Sequence, residues 1–224
     1  MSSARWRLNP SARTQYAGYV AWRGLVPEAK LSTETRALLA ESRLFVIPGL
    51  SHVILYPVPG EPGLEGAGEL RINAIWYRNV REGRALDDLF TDRTGVRRPN
   101  SLKAGTLQQK HVDAFVTAIN DVEPSRMVFR RQVLVGDAAA ATRPHVSAST
   151  ARALRAAFGL ANALLRADDY GAVADNLAAW EREHVALARD FTERGRMIGR
   201  RLQVEGSFVP GDPELTQITM PVGR

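Results

Sequence analysis

Between residues 70 and 80 the chain reads LRINAIWYRNV, which sets Leu70, Ile72, Ala74 and Trp76 on one side of an extended backbone and Arg71, Asn73, Ile75 and Tyr77 on the other. That period of two predicts a strand, the clearest in the sequence. Residues 16–27 (YAGYVAWRGLVP) alternate bulky with small side chains and carry three aromatics, predicting a second long strand. Two short apolar runs, 44–48 and 52–57, flank Gly49 and predict a hairpin. The glycine-rich stretch 61–68 can only be a turn or loop. These runs together predict a mainly antiparallel sheet with one face packed on helices and the other lining a cavity.

A period near 3.6 takes over elsewhere. Tyr170, Val173, Leu177, Trp180, His184, Leu187 and Phe191 recur at spacings of three and four, and Ile198 and Leu202 continue the stripe. Arg182, Arg189 and Arg196 fall off that stripe and are expected in water. Residues 147–165 form an alanine-rich helix in which Ala153, Ala157 and Ala161 would permit close packing. Shorter helices are expected at 31–42, with Leu38 and Leu39 as apolar anchors, at 87–90 and at 108–119. Two apolar runs, 127–129 and 133–135, lack polar alternation, and the second reads as a strand buried on both sides. The tail from Glu205 is expected to lie extended over the surface. The fold class is therefore mixed α/β, of the α+β kind.

Composition narrows the function more than the fold. The 224 residues are 45% hydrophobic and include no cysteine, which excludes disulfides, cysteine-bound zinc and thiol nucleophiles. A cytoplasmic location is the simplest expectation, and no metal is expected. No apolar run has signal-peptide or membrane-spanning length, so no membrane association is expected. The net charge of +6 invites nucleic acid, but the arginines are interleaved with Asp and Glu. Around residues 182–201, for example, Glu181, Glu183, Asp190 and Glu193 offset them. No basic tract with stacking aromatics occurs, so no nucleic-acid partner is expected.

The chemistry concentrates in VLVGDAAAATRPHVSASTARALRAA, residues 133–157. An apolar strand delivers Gly136 and Asp137 at its carboxyl end, where clefts take nucleotide cofactors. The glycine lets a ligand approach the backbone, and the aspartate can accept hydrogen bonds from sugar hydroxyls. A helix starting near Ser147 offers unpaired N–H groups and partial positive charge. Gly-Asp alone is also an ordinary turn at a strand end. His145 is the single histidine within this motif, and a neutral, backbone-bonded ring is favoured over a catalytic base. His184 sits on an apolar stripe and reads as a packing residue. Tyr56, Trp76 and Tyr77 are candidates for the wall of an aromatic pocket, although strand aromatics are more often core.

The segment GDAAAATRPHVSAST resembles the second FAD-binding motif of the flavin-dependent aromatic-ring hydroxylases, the group that includes para-hydroxybenzoate hydroxylase. Its Arg143-Pro144-His145 form is most similar to the branch containing 2,6-dihydroxypyridine 3-monooxygenase. The resemblance extends, in order, through YAGYVAWRGLVPE, LYPVPGEPG, INAIWYRNVREG, TDRTGVRRPNSL, AINDVEPSRM and RGRMIGRRLQ, nearly the whole chain. It implies a substrate-binding sheet over residues 1–125, the C-terminal part of a glutathione-reductase-type FAD domain over 126–204, and a tail over 205–224. It implies FAD as cofactor and NAD(P)H as co-substrate. Gly136, Asp137, Arg143, Pro144, His145, Ser147, Ser149 and Thr150 would be cofactor-binding, with Asp137 on the ribityl chain and 144–150 along the flavin's pyrimidine edge. Arg23 would lie near the flavin as a cation for flavin or substrate, or serve as a structural strand arginine.

The reaction the resemblance implies is hydroxylation of an electron-rich aromatic or N-heteroaromatic ring, phenol-like or hydroxypyridine-like, by O2. A homodimer is compatible with it. The sequence contains no GxGxxG, and Ser2-Ser3-Ala4-Arg5 resembles the end of the family's DG motif, so the expectation is a chain without the dinucleotide-binding start. Ser149 occupies a position that is usually glycine. A non-catalytic aromatic-binding descendant that no longer binds FAD unaided is the alternative.

Overall fold

The computed structural model describes residues 3–10, 12, 14–40, 43–60, 70–108, 114–146, 148–167, 169–209 and 211–212. The glycine-rich segment 61–68, Ser147 and most of the tail lie outside these. The chain divides into two compact units, one from Met1–Ala17, Asn120–Arg200 and Phe208–Arg224, the other from Gly18–Ile119 and Arg201–Ser207. Among the described residues no helix is long and apolar enough to cross a membrane, and no group of three His, Asp or Glu is placed to hold a metal.

The second unit holds most of a six-stranded sheet, two of whose strands also include residues 14–17 and 120–122 of the first. The strands are β1 (Thr14–Pro27), β2 (Leu44–Val46), β3 (His52–Val58), β4 (Arg71–Asn79), β5 (Ser101–Leu102) and β6 (Phe115–Val122), ordered β2-β3-β4-β1-β6-β5. The recorded pairings are antiparallel, β1 with β4, β2 with β3, β3 with β4 and β5 with β6. The β2–β3 hairpin turns through Gly49 at φ 67°, a left-handed conformation that suits glycine. A short helix, α2 (Thr33–Leu39), is capped by Ser32, whose hydroxyl accepts the Thr35 N–H at 3.2 Å. Leu39 anchors it in the core; Leu38, expected beside it, is exposed. Helix α3 (Arg84–Leu89) buries Leu86 and Leu89.

One expected helix is a strand. Phe115 and Ile119 are four apart and mimic a helical stripe, but residues 115–119 open β6. Val116, Thr117 and Ile119 are β-branched, and such side chains pack well on a pleated surface. Val116 pairs with Leu102 and is fully buried.

The first unit packs α4 (Ser149–Leu165) against α5 (Tyr170–Arg200), with a small hairpin, β7 (Val128–Phe129) and β8 (Gln132–Val133), and an N-terminal helix, α1 (Ser3–Leu8). Its core gathers Met127, Leu134, Ala139, Ala140, Ala156, Trp180, Val185 and Ala188. The α5 stripe is largely as expected from Trp180 onward, while Tyr170 at its start is exposed.

Three expectations need correction here. Residues 133–135 do not form a doubly buried strand: β8 is one arm of a two-residue hairpin, and only Leu134 of the three is buried. The close-packed stripe of α4 is not Ala153, Ala157 and Ala161. It runs one face over, through Arg152, Ala156 and Gly159, because Trp180 Nε1 donates to the Ala156 carbonyl at 3.0 Å. A Cβ added at Gly159 would meet His184 Nε2 at 3.0 Å, so only glycine allows that approach. Arg196 is not simply solvated either, since its guanidinium reaches Asp121 at 3.2 Å and Glu123 at 3.3 Å.

Candidate flavin corner and aromatic sheet face

In the first unit, Leu134 leaves the β7–β8 hairpin by a hydrogen bond from its N–H to the Met127 carbonyl. The chain then enters a 3₁₀ turn at Gly136–Ala138, with Gly136 at φ 58°. A Cβ at Gly136 would touch Ala153 Cβ at 3.5 Å, so the turn sits close against the first turns of α4. The main chain there is clamped by two buried arginines. Arg5 Nε donates to the Ala138 carbonyl at 3.0 Å, and its Nη2 donates to the Asp137 carbonyl at 2.5 Å. Arg152 Nη2 donates to the Ala140 carbonyl at 2.7 Å. Burial lowers the pKa of both guanidinium groups, while the negative charge of Asp137 opposes that shift in each.

The consequence for Asp137 is specific. Its carbonyl is consumed by Arg5, whereas its carboxylate is exposed and has no hydrogen bond among the described residues. An aspartate with its backbone fixed and its side chain open is pre-organised to accept hydrogen bonds from a ligand hydroxyl.

The following loop is stitched to the end of β6. Val122 and Ala141 exchange N–H···O bonds of 2.8 and 3.1 Å. Beside that bridge, Arg143 grips the fully buried carboxylate of Asp121, with Nε 3.1 Å from each oxygen and Nη2 at 3.0 Å. Arg143, expected to face a cofactor, is thus turned inward and fixes the loop. Pro144 and His145 form a half-buried 3₁₀ turn, and Gly195 of α5 lies against it: an added Cβ would be 3.2 Å from Arg143 Cβ and 3.3 Å from Val146 Cγ2. Helix α4 then begins with no side-chain cap. Its N-cap residue, Ala148, has no side chain that can accept from the first N–H groups, which among the described residues leaves them available to an anion or carbonyl. Ser149 Oγ lies 3.3 Å from Thr142 Oγ1, so its extra atoms are drawn toward that hydroxyl, and Thr150 is exposed.

These residues fit a flavin's ribityl and pyrimidine end: an open carboxylate, a glycine where the backbone must be approached, and an uncapped helix start, within one continuous segment. Arg5 was noted from sequence only as the end of a motif, not for this contact, and Asp121 and Arg152 were not singled out. Their roles depend on partners 132, 22 and 12 positions away in the chain, and no local pattern marks them.

The second unit presents the aromatic candidates. Directly paired residues of antiparallel strands share a face. The register pairs Arg23 with Ile75, Ala21 and His52 with Tyr77, and Tyr56 with Asn73, which sets Arg23, Tyr56 and Tyr77 on one face. Trp76 belongs to the other, opposite Trp22. There its Nε1 donates to Ser51 Oγ at 2.8 Å and the Arg78 guanidinium lies 4.6 Å from its ring. Of the three aromatic candidates, Tyr56 and Tyr77 share the face of Arg23 and Trp76 does not, but Tyr77 is fully buried there, stacked on His52 with ring centroids 4.3 Å apart. Burial raises the Tyr77 hydroxyl to about 12, with Arg23 opposing and Tyr56 adding, so Tyr77 stays protonated and can donate but not act as a base. Arg23 is exposed on that face.

Known proteins agree with this architecture. Residues 16–128, half of the chain, match the family described as FAD binding domain-like. The curated 2,6-dihydroxypyridine 3-monooxygenase of Paenarthrobacter nicotinovorans is 33% identical over 220 residues, which covers 88% of this chain and 54% of that protein. The solved 2,6-dihydroxypyridine-3-hydroxylase from Arthrobacter nicotinovorans matches with a TM-score of 0.84 at 31% identity, across 96% of this chain and 58% of that one. HpxO of Klebsiella pneumoniae, solved with FAD and uric acid, shares the fold with a TM-score of 0.62 at 24% identity, over 96% and 51% of the two chains. The chain thus spans about half the length of the relatives it matches. By its family match the chain belongs to the FAD binding domain-like family, and over about half of its relatives' length it is similar to 2,6-dihydroxypyridine 3-monooxygenase.

Proposed function

We propose that this chain supplies the ribityl- and pyrimidine-contacting corner and the substrate-facing sheet of an FAD-dependent monooxygenase that hydroxylates an electron-rich ring, hydroxypyridine-like or phenol-like. The observation that carries the reading is the 136–140 segment, in which Arg5 holds the Asp137 and Ala138 carbonyls and Arg152 that of Ala140 while the Asp137 carboxylate stays open. The chemistry the cofactor supplies is the passage of two electrons from NAD(P)H to O2, so that one oxygen atom enters the ring and the other leaves as water. Asp137 accepts the ribityl hydroxyls. The uncapped start of α4 and the Pro144–Val146 turn stabilise negative charge at the pyrimidine end. Arg143, through Asp121, holds that turn in place. On the sheet, the exposed Arg23 pairs with a ring oxyanion, which keeps the ring nucleophilic. The relatives that act on or bind hydroxylated N-heterocycles favour this substrate class.

Riboflavin and FAD share the ribityl group, so both are expected to bind, quenching flavin fluorescence. Asp137→Ala is expected to weaken each by about 10- to 100-fold, the range for losing a hydrogen bond to a charged group, measured below the variant's own melting temperature because Asp137 also faces the buried Arg5 and Arg152. Equal flavin affinity in the variant and the parent would refute the assignment.

A further inference from the structure

Within the first unit, the β7–β8 hairpin and the end of α1 border a cleft of about 520 Å³ lined by Leu8, Arg126, Phe129, Arg130, Arg131 and Gln132. That volume falls in the range of small-molecule sites. No residue assigned to flavin or ring binding lines it. Arg126 donates from Nη2 to the Val128 carbonyl at 3.0 Å and lies 5.5 Å from the Phe129 ring, so it is aligned along one wall. None of the three arginines has a carboxylate partner among the described residues. Glu181, the acid bonded to this hairpin, is turned to the backbone, where its Oε1 accepts from the Met127 and Val128 N–H groups at 2.6 and 2.7 Å.

The backbone adds an independent observation. Arg130 has φ 56°, and it is the single non-glycine residue with positive φ among the described residues. Two-residue hairpin turns of this kind relax with Asn or Gly, so an Arg-Arg turn keeps two guanidinium groups at the cleft at a conformational cost. Such outliers persist where surrounding structure or function requires them.

We propose that this cleft binds a phosphate-bearing small molecule of the size of a nucleoside diphosphate. The three guanidinium groups would take the phosphates, as their planar donor forks match phosphate oxygens. Leu8 and Phe129 give the apolar part of the ligand a surface to rest on. The site is separate in sequence and in residues from the Asp137 corner, and it stands whether or not that corner holds flavin.

Calorimetric titration of the full chain with ADP, adenosine and inorganic pyrophosphate tests it. ADP is expected to bind, pyrophosphate to compete with it, and adenosine to bind at least tenfold more weakly. Arg130→Asn with Arg131→Gln, in which Asn suits the left-handed turn, is expected to weaken ADP at least tenfold with an unchanged melting temperature. Arg131→Gln alone, at an exposed position, provides a second variant whose folding is not in question and is expected to weaken ADP severalfold. Asp137→Ala is expected to leave ADP binding intact. Absence of ADP binding at millimolar concentration, equal binding of adenosine, survival of binding in the arginine variants, or its loss in Asp137→Ala would each overturn the proposal.

Discussion

Asp121→Ala is expected to destabilise the protein by about 3–5 kcal/mol, the range for removing one partner of a buried ion pair. The carboxylate is fully buried and serves two guanidinium groups, Arg143 through three contacts of 3.0–3.1 Å and Arg196 at 3.2 Å. Arg196 retains Glu123 and partial exposure, so it can recover. Arg143, with its side chain only 12% exposed, cannot, and its charge would be left without compensation beside the Val122–Ala141 bridge. For a chain of this length each kcal/mol moves the melting temperature by roughly 2–4 °C. A drop of about 10 °C is therefore expected in thermal unfolding. Asp121→Asn, which keeps shape and hydrogen-bond capacity but not charge, is expected to fall between. A shift below 2 °C for the alanine variant would show that the pair does not hold the loop.

The second large effect is on pH dependence. His52 is buried between Phe45 and Tyr77, with ring centroids 5.2 and 4.3 Å away, and the Gln203 amide lies 2.7 Å from its Nδ1. As placed, Gln203 Nε2–H donates to Nδ1, which requires the neutral ring. Burial pushes the His52 pKa down from 6.5 to about 4. Because the folded value lies below the unfolded one, the unfolded chain binds the extra proton. The stability contribution is complete above pH 6.5 and is lost as pH falls toward 4. The 2.5-unit difference corresponds to at most about 3.5 kcal/mol. His184 acts in the same direction: burial lowers it most, Glu183 opposes, and Arg155 and Arg152 lower it further. Denaturant unfolding at pH 7.0 and pH 4.5 is expected to show the loss. His52→Phe, which can keep the stacked arrangement without a titrating group, is expected to flatten the part due to this ring. An unchanged slope in that variant would assign the pH dependence elsewhere.

The elements legible in the sequence are those whose own residues carry the period. β1 and β4 show in alternating side chains, the β2–β3 hairpin in two apolar runs around Gly49, and α5 in a stripe that holds from Trp180 to Ile198. Where the residues fit two periods, the partner decided. The 115–119 segment carries an i, i+4 pair but is drawn into the sheet through Leu102, and α4 turns its Arg152–Ala156–Gly159 face inward because Trp180 and the Ala140 carbonyl lie there.

The candidate site divides in the same way. Gly136 and Asp137 were legible through the family resemblance, because Gly-Asp alone is an ordinary turn at a strand end; the structure places them in a 3₁₀ turn whose Asp137 carbonyl is held by Arg5. Arg143 was legible as a residue of importance but not in its orientation, since an arginine turns toward the strongest buried acceptor, and Asp121 is 22 residues away. Trp76 was grouped with Tyr77 by proximity, although neighbours on a strand face opposite ways.

The most direct test of the flavin corner is amide hydrogen exchange of the chain with and without FAD. The account predicts that added FAD slows exchange at the backbone of residues 136–140 and at the first turn of α4, residues 149–152. Unchanged exchange across both stretches, with flavin present at a concentration that saturates binding, would contradict it.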